Sequence, residues 1–258
     1  MKFQAAGGLA IQSEGHQGDF GANRMSEILS KKQRAAGKDS QNKQNKKNQY
    51  AARILGILKK SYPRAKIALG YSNPLELLIA VMLSAQCTDK RVNIVTQSLF
   101  RKYRTLTDFV NADIRELEQD IRSTGFYRNK AKNIKASCQI ILEEFGGRVP
   151  DSMQDILKLP GVARKTANIV LGNAYGVIDG IAVDTHVSRL SQRLGLSANH
   201  DPNKIEQDLM GLYPKNIWLD LTYYIIEHGR AVCKAPTPIC SHCQLSKLCP
   251  KKGVKKSK

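Results

Sequence analysis

Lys165 stands directly behind a Pro160–Gly161 turn in the stretch LPGVARKTANIV (159–170), and Asp184 opens a helical pattern in GIAVDTHVSRLSQRLGL (180–196). A cation in the first turn of a helix is unfavourably placed against the dipole. Arg164 beside it adds to that field, which favours the neutral amine, and a neutral lysine amine can attack an electrophilic sugar carbon and form a Schiff base. The alternative is a lysine that touches phosphate through charge alone. Asp184 has two readings as well: a plain N-cap, or a carboxylate held at the mouth of a cleft.

The turn between the two helices is small and uncharged. Pro-Gly forces a sharp reversal, and a tip without bulky side chains lets a phosphate backbone come close to the free amides of the next helix. Ala167, Val170, Leu171 and Ala174 follow at helical spacing on one face, so that face docks and Lys165 points away from it. Turn chemistry by itself equally suits an ordinary helical hairpin with no ligand.

A third group lies near the C-terminus. Four of the six cysteines fall in CKAPTPICSHCQLSKLC as Cys233-x6-Cys240-x2-Cys243-x5-Cys249. Four crowded thiolates in a reducing compartment read as a metal site rather than as disulfides, and zinc and an iron–sulfur cluster both accept such a set. Ligand type alone leaves that choice open. With every ligand drawn from protein, the role is structural. Cys87 and Cys138 lie in helical context and read as buried residues.

These groups need a scaffold, and the pattern from Tyr50 to about Cys249 is helical almost throughout. In SNPLELLIAVMLSA (72–85), Asn73 can cap, Pro74 suits the first turn, and Glu76 can reach back to the cap amide. Leu77 to Leu83 is apolar nearly all round, so this helix is central. Further helical stretches are expected over 88–103, 113–125, 129–147 and 151–159, with Gly125 and Gly146–Gly147 as exits. The fold class is all-α.

Net charge is +19 over 258 residues, which points to a polyanionic partner. The first 48 residues, rich in Gly, Gln, Asn and Lys, read as a disordered basic arm, and 251–258 as a basic tail. No run reaches the roughly 20 apolar residues of a membrane span, and no secretory signal opens the chain, so a cytoplasmic, nucleoid-associated monomer is expected.

The segments LLIAVMLSAQCTDKRVN, LPGVARKTANIVL and AVDTHVSRLSQR, with the 6-2-5 cysteine spacing, resemble the endonuclease III family of DNA glycosylases in the helix-hairpin-helix superfamily. The resemblance covers about Tyr50 to Cys249. It implies a six-helix domain over 67–177 and a second helical domain from 45–66 with 178–250, which carries a 4Fe-4S cluster on Cys233, Cys240, Cys243 and Cys249. A lesion pocket would lie between the two domains. The family's catalytic lysine corresponds to Lys165 and its catalytic aspartate to Asp184. Gln86 and Phe126 match positions that fill the gap left by a flipped nucleotide, and Gly161, Ala163 and Arg164 belong to the DNA-binding hairpin. The implied activity is excision of oxidised pyrimidines from duplex DNA and cleavage of the abasic site.

Two departures stand out. Phe126 replaces a common leucine, and Ala163 a usual glycine, which the turn accepts only at negative φ. Three other functions compete. Adenine-mismatch relatives usually lack the lysine and carry a further C-terminal domain, whereas here Lys165 is present and the chain ends nine residues after Cys249. Thymine-mismatch enzymes are disfavoured by the same lysine. A catalytically silent DNA-binding module would show a lost nucleophile, and none is seen.

Overall fold

The computed structural model describes the backbone from Phe20 and the side chains from Gln41 to Lys258. Residues 1–47 and 48–258 form separate compact units, and the site lies in the second. Eleven α-helices and no strand occur among the described residues, an all-α fold.

Helix α1 runs Phe20–Ser61. The expected arm of 1–48 is therefore helical from residue 20 onward, and its first 19 residues lie outside the described residues. Lys, Gln and Arg lose little rotamer freedom in a helix, so a segment can be helical without an apolar stripe once a neighbouring turn has been nucleated. Residues 41–49 are all exposed. Among its described side chains, α1 has buried ones only from Ala51 on, with Ala51, Ile54 and Leu58 fully enclosed.

Helices α2 (Pro74–Leu83), α3 (Asp89–Lys102), α4 (Leu106–Asn111), α5 (Ile114–Asp120), α6 (Tyr127–Glu144), α7 (Met153–Ile156) and α8 (Arg164–Val170) follow. Then come α9 (Thr185–Arg193), α10 (Pro202–Met210) and α11 (Trp218–Ala231). All seven residues from Leu77 to Leu83 are buried, so α2 is the central helix that its apolar run predicts. Its start differs in one detail. Asn73 accepts from the Glu76 amide at 3.0 Å, but the Glu76 carboxylate takes the Ser72 amide at 2.7 Å, one residue before the cap. Helix α4 escaped the periodicity because it is too short to show one, although Thr105 and Asp108 form a complete capping box.

The buried apolar side chains of the second unit form two clusters. One gathers α2 to α8 around Leu77, Phe109, Leu117, Ile134 and Val170. The other gathers the end of α1, Ile181, Val183, α9, α10, α11 and Leu245.

Candidate active site and cysteine pocket

Helix α8 docks through Ala167 and Val170, followed by Leu171 in a short π-helical turn, each fully buried. Lys165, the second residue of α8, is on the other side and exposed. Asp184 caps α9, its Oδ1 accepting from the Val187 amide at 2.7 Å. Its second oxygen takes no hydrogen bond from the described residues. Cap and cleft carboxylate are therefore one arrangement rather than rivals. Lys165 and Asp184 line the same cleft, of about 1100 Å³, with Gln86, His186, Arg189 and Arg230. One comes from the first apolar cluster's helix and the other from the second's.

His186 is a cleft residue that sequence reasoning missed. Burial lowers its pKa, against the opposing pull of Asp184, and its Nδ1 lies 3.1 Å from Arg189 Nη2. The only available signal was its place two residues after Asp184. Arg230, at the end of α11, forms an ion pair with Asp89 on α3. Cys87, read as a buried residue, also lines this cleft, whereas Cys138 is enclosed and burial raises its thiol pKa to about 12.

The hairpin fits its glycine tightly. Gly161 has φ +79°, and a Cβ there would lie 2.7 Å from Asn133 Nδ2, so another residue would be strained and would push Asn133 aside. Ala163 has φ −95°, the negative value that an alanine in this turn needs, and no side chain caps α8. Arg164 is not a free cation. Its Nε donates to Glu206 at 2.7 Å, and its Nη1 lies 3.6 Å from Asp179, so its charge is already answered within the protein.

Gln86 and Phe126 have φ of +53° and +49°, left-handed values that side chains other than glycine adopt at a cost of about 1–3 kcal/mol. Phe126 is 63% exposed. Both residues line a pocket of about 190 Å³ together with Gly161 and Asn133. One buried amine ties their turns. Lys130 Nζ donates to Leu83 O and to Thr124 O, each at 2.8 Å.

Residues 79–215 match the family described as HhH-GPD superfamily base excision DNA repair protein. Endonuclease III of Synechocystis sp. is 55% identical over 204 residues, covering 79% of this chain and 93% of that protein. The chain belongs to the endonuclease III family. Endonuclease III of Bacillus subtilis (strain 168) is 48% identical over 198 residues, covering 76% of this chain and 90% of that protein. Among solved structures, a trapped endonuclease III–DNA covalent intermediate with an estranged adenine aligns with TM-score 0.77 and 46% identity, covering 79% of this chain and 96% of that one. A thermostable thymine-DNA glycosylase, 23% identical with TM-score 0.72, shares the fold.

Cys233, Cys240, Cys243 and Cys249 line one pocket beside the end of α11. Among the described residues no group of three or more His, Cys, Asp or Glu side chains could hold a metal ion, so the expected cluster ligation is not visible as a closed site. Burial, and then the neighbouring cysteines, raise the pKa of Cys243 and Cys249. Arg193 Nη1 approaches Cys233 Sγ at 3.4 Å, and the Lys251 amide donates to Cys249 Sγ at 3.3 Å. Arg189 and Arg193, one turn apart on α9, both serve this loop, and Arg189 lines the cleft as well. Arg189 donates to Cys233 O, and Arg193 to Lys234 O and Pro236 O.

Proposed function

We propose that this chain is a bifunctional DNA glycosylase and abasic-site lyase that removes oxidised pyrimidines from duplex DNA. The observation that carries this reading is the convergence of an exposed amine, Lys165, and a carboxylate with one uncommitted oxygen, Asp184, on one cleft. Its relatives bear the name endonuclease III, and one solved relative is a trapped covalent DNA intermediate.

The damaged nucleotide leaves the stack and enters the cleft, a step favoured by its weakened pairing. Lys165 Nζ attacks C1′, the C1′–N bond breaks, and its electron pair leaves with the base. Asp184 stabilises the positive charge that develops on the sugar. Ring opening gives a Schiff base between Lys165 and C1′. Loss of a C2′ proton then expels the 3′ phosphate and cuts the strand by β-elimination. Gln86 and Phe126 fill the vacated position, and Gly161 and Ala163 let the hairpin approach the backbone. Arg164, paired with Glu206, contributes little to phosphate binding.

The donor set fits an iron–sulfur group. Four thiols share one pocket, and a guanidinium and an amide are directed at the sulfurs of Cys233 and Cys249, donors that suit a set that becomes thiolate. Cys233, Cys240, Cys243 and Cys249 would hold the 4Fe-4S cluster, which when bound supplies metal–thiolate bonds that pin the loop. Anaerobically purified protein is expected to carry about four irons per chain, by the cluster's own stoichiometry, and to be yellow-brown. Stoichiometric zinc without iron would refute it.

The activity is tested on duplexes carrying thymine glycol, 5-hydroxycytosine, dihydrouracil, 8-oxoguanine or an abasic site. Cleavage of the oxidised pyrimidines and the abasic duplex, with a borohydride-stable adduct, is expected. Tight binding without any adduct would favour the silent DNA-binding module.

A further inference from the structure

Glu206 lies on α10, whose neighbouring residues Ile205 and Leu209 are buried in the second apolar cluster. Only 4% of Glu206 is exposed, and its carboxylate sits among hydrogen-bond donors. Oε2 accepts from Arg164 Nε at 2.7 Å. Oε1 accepts from Asn168 Nδ2 at 2.8 Å and from the Ile181 amide at 3.1 Å. Arg164 is the immediate neighbour of Lys165, and Asn168 lies one turn further along the same helix. Ile181 is three residues ahead of Asp184, at the start of the segment that delivers it. One buried carboxylate, carried by a third element, thus grips both the helix bearing Lys165 and the segment bearing Asp184.

The surroundings are built around that grip. A Cβ at Gly180 would fall 1.8 Å from Glu206 Oε1 and 3.0 Å from Arg164 Nη2, so any side chain there would displace the carboxylate. Asn168 Oδ1 is buried without a partner. That residue keeps its place through the one bond its Nδ2 makes to Glu206. A buried ion pair adds little net stability compared with apolar packing, and its best-attested use is to fix register between elements. Here the elements to be registered come from the two apolar clusters that flank the cleft.

We propose that Glu206 is the positioning residue that holds Lys165 and Asp184 in reacting register across the cleft. The inference rests on the proposed roles of those two residues. It concerns geometry rather than proton transfer, since Glu206 is sealed away from the substrate.

The test compares Glu206→Gln, which keeps shape and removes charge, with Gly180→Ala, which keeps the charge and displaces the carboxylate. Borohydride trapping on preformed abasic duplex is followed under single-turnover conditions, reading rate and final amplitude separately, alongside affinity for a non-cleavable abasic analogue. Both variants are expected to trap to the parental amplitude at a rate reduced about 100-fold, the loss typical of a reacting group displaced by roughly 1 Å, with affinity changed less than about threefold. A role confined to folding would lower the amplitude and leave the rate of the folded fraction unchanged, and that result overturns the assignment. Parental rates in both variants overturn it too. If Glu206→Gln yields no folded protein, Gly180→Ala decides alone. Should the parent chain itself give no adduct, the proposed activity fails, and the variants are then not what failed.

Discussion

Lys165→Gln is expected to give no borohydride-stable adduct and no strand cleavage while melting at the temperature of the parent protein. The second half of this expectation follows from position. Lys165 is exposed, makes no hydrogen bond or ion pair with the described residues, and faces away from the stripe of Ala167 and Val170 that docks α8. Substitutions at such sites usually change stability by no more than about 0.5 kcal/mol. The first half follows from chemistry: without the amine no bond to C1′ can form, and loss of a nucleophile costs on the order of a thousandfold or more. Binding to the abasic duplex should survive. An adduct formed at the parental rate would identify another amine as the nucleophile and remove Lys165 from the mechanism, whatever the family.

Asp184→Asn should separate the two chemical steps. Asparagine caps a helix about as well as aspartate, so the bond from the Val187 amide and the start of α9 are retained. What disappears is the negative charge facing the cleft. Base excision should slow by about 100- to 1000-fold, the range seen when one preorganised electrostatic contact to a transition state is removed. Cleavage of a preformed abasic site, where no base departs, should fall much less. Equal losses on both substrates would mean that Asp184 supports α9 or orients Lys165 rather than stabilising the sugar cation. A fall in melting temperature with unchanged excision would leave it a cap alone.

Local signals in the sequence were legible where a feature depends on neighbours within a turn. The apolar run of α2, the Asn73 cap, the docking stripe of α8 and the negative φ demanded of Ala163 all belong here. Features that depend on distant partners were not. Arg164 looked like a phosphate ligand because its counter-charge, Glu206, stands 42 residues away. The carbonyls that Arg189 and Arg193 serve lie in the cysteine loop, more than 40 residues further on, and no local pattern announced them. The helical course of residues 20–48 was missed for a different reason: composition reports the lack of an apolar face, and a helix can extend past its packed segment without one. His186 and Arg230 became cleft residues only once the fold had brought α9 and α11 to the same wall.

If Gln86 and Phe126 fill the gap as proposed, their turns, fastened by Lys130, set when the work of opening a duplex is done. A flexible loop would have to order itself at each encounter, and that loss of freedom would weaken every binding event. Here both side chains already hold their unusual backbone conformations in the free protein, fixed by a buried amine shared between two carbonyls. The unfavourable energy was absorbed once, during folding, by the apolar packing of α2 and α6. Under that proposal DNA would meet preformed turns, and the molecule is less thermostable at that corner than glycines at the same two positions would make it.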